Sequence, residues 1–139
     1  MALTGMEHYL VLTSDLDATR DFYQDALGMT QGFRPQLGFP GYWMYLGATP
    51  VIHIAEWNSY TAHSTAKDIP VTAPGPSTGA FDHVAFNAHD FDSVSARLAR
   101  HGVTPARNLV SKSGMRQLFV FDPNGVKIEI NFRALKGDS

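Results

Sequence analysis

Asp122-Pro123-Asn124-Gly125 running into Val126-Lys127-Ile128-Glu129-Ile130-Asn131-Phe132 reads as a tight turn feeding a β-strand. By the two-residue period of a strand, Val126, Ile128, Ile130 and Phe132 share one face, and Lys127, Glu129 and Asn131 share the other. An acidic side chain is therefore carried by a strongly apolar strand yet points away from its apolar face. His8, His53 and His83 sit on apolar runs of similar length, and the spacing among these four residues is regular.

Working outward, residues 6–13 read as a buried strand, and Asp15 or Asp17 can cap a helix through Leu27 with Leu16, Phe22, Tyr23, Ala26 and Leu27 as its apolar stripe. Gly28 ends it. Residues 29–34, 41–46 and 51–57 are strand candidates, the second of them aromatic through Tyr42, Trp43 and Tyr45. Residues 58–79 shift to Ser, Thr, Pro, Gly and Ala and read as a connecting loop, the one internal boundary. The order then repeats. A strand at 81–87 is followed by a helix opened by Asp90 or Asp92 and closed at Gly102, then by strands at 103–110 and 115–121 and the stretch quoted above.

Landmarks in the two halves keep one spacing. His8 and His83 are 75 residues apart, Asp17 and Asp92 also 75, Gly28 and Gly102 74, and His53 and Glu129 76. One supersecondary unit has been duplicated. The expected fold is α+β: a single domain over 1–139, built of two βαβββ modules (about 6–57 and 80–133, linker 58–79) whose curved mixed sheets surround a metal-binding cavity.

Composition narrows the function. At 139 residues the chain can bury a core, and with no cysteine it has neither disulfides nor thiolate ligands, so a metal site must use His and carboxylate. A net charge of −2 without a basic run gives no footprint for nucleic acid or an anionic membrane. With no membrane-length apolar stretch and no signal-peptide pattern, a cytoplasmic location is expected. His8 and His83 occupy the same place on the first strand of each module, and His53 and Glu129 the same place on the last. If the modules pair, three imidazoles and one carboxylate meet, a set that suits Mn²⁺, Fe²⁺, Co²⁺, Ni²⁺ or Zn²⁺ better than Ca²⁺ or Cu⁺.

These residues carry a family resemblance. A His on the first strand, Phe22-Tyr23, Leu27-Gly28-Met29, then Asp82-His83-Val84-Ala85-Phe86, then Phe121-Asp122-Pro123-Asn124-Gly125 leading to Ile128-Glu129, resemble the vicinal oxygen chelate superfamily. That superfamily groups glyoxalase I, fosfomycin and bleomycin resistance proteins, methylmalonyl-CoA epimerase and extradiol dioxygenases. The resemblance implies the glyoxalase/bleomycin resistance/dioxygenase fold. It places His8, His83 and Glu129 on the common metal positions, with His53 on the fourth, where glyoxalase I has Glu. It also implies proton transfer next to a metal-polarised carbonyl, which leaves Glu129 as the catalytic base of a lyase or isomerase acting on a small oxygen-bearing substrate. Such relatives often assemble from two chains, so a homodimer is expected, with the site either shared between subunits or held within one chain.

Alternatives follow from the same set. Extradiol dioxygenases use two His and one carboxylate, but where they carry a Tyr and a preceding His this chain has Phe119 and the stretch Val110, Ser111 and Lys112. A resistance-type enzyme opening an epoxide needs the same metal centre. A non-catalytic small-molecule binding protein would be expected to have lost ligands, and all four are present. Phe33, Tyr42, Trp43 and Trp57, with Phe39, Tyr45 and Tyr60, are candidates to wall the substrate pocket. Arg34, Lys112 and Arg116 are candidates to meet a carboxylate or phosphate, and His63 reads as exposed.

Overall fold

The computed structural model describes residues 2–110 and 112–133, so Ser111 lies outside the described residues. The chain divides into two compact units at Gly75, except that residues 25–27, at the end of the first helix, group with the second unit. The first holds β1 (Tyr9–Thr13), α1 (Leu16–Asp21) continued by a π-helical turn (Phe22–Ala26), β2 (Thr30–Gly32), β3 (Gly41–Leu46), β4 (Thr49–Glu56) and α2 (Trp57–Ala66). The second holds β5 (His83–Asn87), α3 (Phe91–Arg100), β6 (Ala106–Val110), β7 (Met115–Phe121) and β8 (Lys127–Phe132). Both are the expected βαβββ module, and the class is α+β, with four-stranded mixed sheets that do not close into a barrel.

Each sheet has the same topology. The orders are β1-β4-β3-β2 and β5-β8-β7-β6, and the first and last strands of each unit pair in parallel while the others pair antiparallel. Leu10 lies opposite His53 in one parallel pair and Ala85 opposite Glu129 in the other, so the duplication holds at the level of register. Ile52 and Ile54 on β4, and Ile128 and Ile130 on β8, are buried on the core face. Of the alternative helix caps, Asp15 accepts from the Ala18 N–H and Asp90 from the Ser93 N–H. Gly28 and Gly102 close the helices at φ of 76° and 72°, a conformation that favours glycine.

The stretch 58–79, read from sequence as loop, begins with helix α2. Trp57, expected to end a strand, is instead its first residue. Glu56 starts the helix by accepting the Ser59 N–H at 2.7 Å and the Ser59 hydroxyl at 2.9 Å. The helix has no concentrated apolar face for a periodicity to reveal. Several strands are also shorter than expected, and β1 starts one residue after His8.

Gly41, opposite Ala55 across β3 and β4, has no room for a side chain: a Cβ there would overlap the Ile54 carbonyl oxygen, which is backbone and cannot move aside. Gly41→Ala is expected to destabilise the fold by about 1–3 kcal/mol, read as a lower midpoint in urea unfolding.

Candidate functional site

In the first unit, β4 presents His53 between two aromatic neighbours. The Trp43 ring, from the residue opposite on β3, stacks on it at 3.9 Å between centroids and 8° between planes. The His8 ring stacks at 3.6 Å and 14°. Burial holds the His53 imidazole well below its ordinary 6.5, at about 4, and the neighbouring His8 pushes the same way. His53 is thus neutral near pH 7, the form in which imidazole binds a metal. The His8 Nδ1 lies 2.7 Å from Glu7 Oε1, which fixes the ring and leaves Nε2 uncommitted.

Next to these rings lies a cavity of about 170 Å³ lined by His8, Leu10, Arg34, Leu37, Phe39, Trp43, His53, Ile54 and Tyr60. Tyr60 reaches it from α2, and Phe39 meets the Tyr60 ring edge-on at 5.2 Å. The helix unread in the sequence therefore builds one wall. His63 on the same helix is half-buried against Phe39 at 4.7 Å, not exposed as its polar surroundings suggested.

The second unit places a charged counterpart at the equivalent register. His83 Nε2 lies 3.4 Å from Glu129 Oε1, and His83 Nδ1 lies 2.7 Å from Asp82 Oδ2. Lys127 Nζ, also 2.7 Å from that Asp82 oxygen, holds the carboxylate in place. Lys127 and His83 both hold the Asp82 carboxyl below the usual range. The other Glu129 oxygen, Oε2, accepts from Asn131 Nδ2 at 2.8 Å. Asn131 Oδ1 accepts from Gln117 Nε2 at 3.1 Å, and Gln117 Oε1 from Asn108 Nδ2 at 2.7 Å. A chain of amides thus runs across β6, β7 and β8 and ends on the carboxylate.

Of the four expected ligands, the structure brings His8 to His53 and His83 to Glu129. Among the described residues no group of three or more His, Asp or Glu side chains is arranged to hold an ion. Imidazole lone pairs lie in the ring plane, so the stacked His8 and His53 rings direct theirs within nearly parallel planes. Of the aromatic candidates, Trp43 lines the cavity, whereas Phe33, Tyr42 and Trp57 are not among its lining residues. Phe33 is largely exposed, and the Tyr42 hydroxyl donates to Asp17 at 2.6 Å. Glu7, Asp82, Asn131, Gln117 and Asn108 were missed in the sequence as partners of the candidate ligands. A signal for the first two was present, since Glu7 and Asp82 are also 75 residues apart and each precedes a His.

The arrangement has known counterparts. Residues 5–130 match the model of the Glyoxalase/Bleomycin resistance protein/Dioxygenase superfamily, and the chain belongs to that family. It is 33% identical over 131 residues to Glyoxylase I 4 of Arabidopsis thaliana, covering 92% of this chain and 70% of that protein. Among solved structures, lactoylglutathione lyase from Agrobacterium tumefaciens matches with a TM-score of 0.71 at 18% identity, over 99% of both chains. A genomically encoded fosfomycin resistance protein from Listeria monocytogenes matches with a TM-score of 0.69 at 16% identity, over 96% of this chain and 97% of that one. At these identities the solved structures speak for the fold.

Asn131 is the keystone of the amide chain, buried and bonded on both sides. Asn131→Leu leaves the Gln117 amide and one Glu129 oxygen without their partners and is expected to cost about 1–3 kcal/mol in chemical denaturation.

Proposed function

We propose that the protein is a divalent-metal-dependent enzyme of the glyoxalase type, a lyase or isomerase acting on a small oxygen-bearing substrate. His8, His53, His83 and Glu129 are its metal ligands in this proposal, and Glu129 is its base. The observation that carries the reading is the setting of Glu129: one oxygen is held by Asn131 and the other faces His83 Nε2, whose far nitrogen is fixed by Asp82. A His–carboxylate pair oriented from behind by further hydrogen bonds is the arrangement that metal-ligating side chains adopt. The donor chemistry fits a Mn²⁺, Fe²⁺, Co²⁺, Ni²⁺ or Zn²⁺ ion, since His8 and His83 each have Nδ1 engaged by an acid and His53 is neutral.

When bound, such an ion supplies Lewis acidity to a substrate oxygen. The chain supplies the rest. Glu129 accepts a proton from the carbon beside the substrate carbonyl, Asn131 keeps the carboxylate from swinging away, and the cavity beside Trp43 excludes water from the apolar part of the substrate. Phe119, opposite Glu129 across β7 and β8, offers no hydroxyl, which favours proton transfer over the extradiol reading. The relative named Glyoxylase I 4 supports the same choice.

Glu129→Gln keeps the size of the side chain and removes its basicity. Turnover is expected to fall by at least about 10²-fold while folding persists, whereas His8→Ala and His83→Ala are expected to lower metal content measured on protein purified without chelator. Unchanged metal content in both His variants would sink the site, and full turnover by Glu129→Gln the mechanism.

The homodimer with a shared site belongs to the same proposal. In a mixture of His8→Ala and Glu129→Gln chains, a shared site leaves one intact copy per mixed dimer, so activity is expected to reappear on co-refolding. A mixture as inactive as its components would count against sharing.

A further inference from the structure

The cavity beside His8 and His53 carries a cation that no carboxylate neutralises. Among the described residues, every ion pair leaves Arg34 out. Its contacts are one hydrogen bond from Nη2 to the Phe39 carbonyl oxygen at 2.9 Å and a seat over the Phe39 ring at 4.9 Å. A guanidinium has five N–H donors, and here the buried Nε has no hydrogen-bond partner among the described residues. Burial lowers the Arg34 pKa from its ordinary value, a sign of desolvation without a compensating charge. Withdrawing a cation from water is costly unless an anion meets it.

The repeat shows that this arrangement is particular to the first unit. On the donor face of the second sheet, Gln117 and Asn131 face each other and fill the space with bonded amides. The equivalent pair in the first sheet is Gly41 and Ala55. A Cβ on Gly41 would stand 3.1 Å from Arg34 Nη2, so the bare glycine leaves the guanidinium in place without the shift of a few tenths of an ångström that a side chain would require. The remaining wall is apolar or aromatic apart from His8 and His53, and among the described residues no second cationic side chain lines it.

We propose that Arg34 is an anion anchor and that the substrate of the enzyme proposed above, on whose reading this inference rests, carries one carboxylate on a small apolar or aromatic body. A single unpaired guanidinium matches a single negative charge, and its planar fork matches the two oxygens of a carboxylate. Among the described residues no second cationic side chain lines the cavity to meet a phosphate dianion. Phe39, Trp43, Leu37 and Tyr60 receive the body.

Isothermal titration of the full chain with phenylacetate, its neutral isostere phenylacetamide, and phenyl phosphate tests the assignment, on protein as purified and again after dialysis against a chelator. Phenylacetate is expected to bind roughly tenfold to a hundredfold tighter than phenylacetamide in both preparations. Arg34→Met is expected to erase the difference, and Arg34→Lys to keep part of it, which separates loss of charge from loss of fold. Glu129→Gln strikes the proposed base and not this anchor, so its preference for the acid is expected to remain. Equal binding of acid and amide by the wild type, or an undiminished preference in Arg34→Met, would overturn the inference. A preference lost on chelation or in Glu129→Gln would assign it to the metal ligands and overturn it equally. Tighter binding of phenyl phosphate than of phenylacetate would overturn the carboxylate.

Discussion

Parallel pairing between the first and last strand of each unit is the constraint from which the rest of each unit follows. Parallel neighbours cannot be joined by a tight turn, so the chain must leave β1, travel through a helix and two strands, and return as β4; β5 and β8 repeat the journey. The last strand is thereby enclosed between the first strand and the third, with its backbone paired on both sides. His53 and Glu129 ride on these enclosed strands, and His8 and His83 come from two positions earlier across the parallel ladder. The closeness of the donors within each unit is a consequence of pairing, and needs no special loop.

Within that shared frame the two units have diverged at matching positions. Trp43 stacks on the neutral His53, while the residue in its place, Phe119, lies opposite the carboxylate of Glu129. Asn131 ties down Glu129, and its counterpart Ala55 has no polar side chain to offer. One unit is thus dressed with amides that fix an anion, and the other is hollowed to hold aromatic walls and a guanidinium. Net stabilisation by each amide hydrogen bond is only about 1 kcal/mol, so the stronger effect of that chain is on where Glu129 points.

The repeat was legible in the sequence because the two sheets share topology and register, which preserves spacing even where residue types differ. Candidate ligands followed from it, as did the helix caps and the closing glycines, since each depends on local backbone needs. Helix α2 was not legible. Trp57, Tyr60, Ser64 and their neighbours form no apolar stripe, and its start is set by one side-chain cap from Glu56. Arg34 could be noted but not ranked, because its lack of a carboxylate partner is a property of three-dimensional packing. The same holds for Asn131, whose donor Gln117 lies 14 residues away in the chain, and for Asn108, which donates to Gln117 from 9 residues away; these amides meet only across the sheet.

Under the proposed function, the donor set contains a single carboxylate, and this limits the chemistry. His53 stands where a second carboxylate would otherwise be available, and Glu56 is committed to the first turn of α2 by its bonds to Ser59. In that proposal a proton taken by Glu129 is returned by Glu129. Removal and delivery occur from one side of the substrate, and Asn131 holds the carboxylate near both positions. The reactions most compatible with one anchored base are those that shift a proton between neighbouring carbons on the same face. An inversion needs separate acid and base groups on opposite faces, which a single anchored carboxylate does not supply.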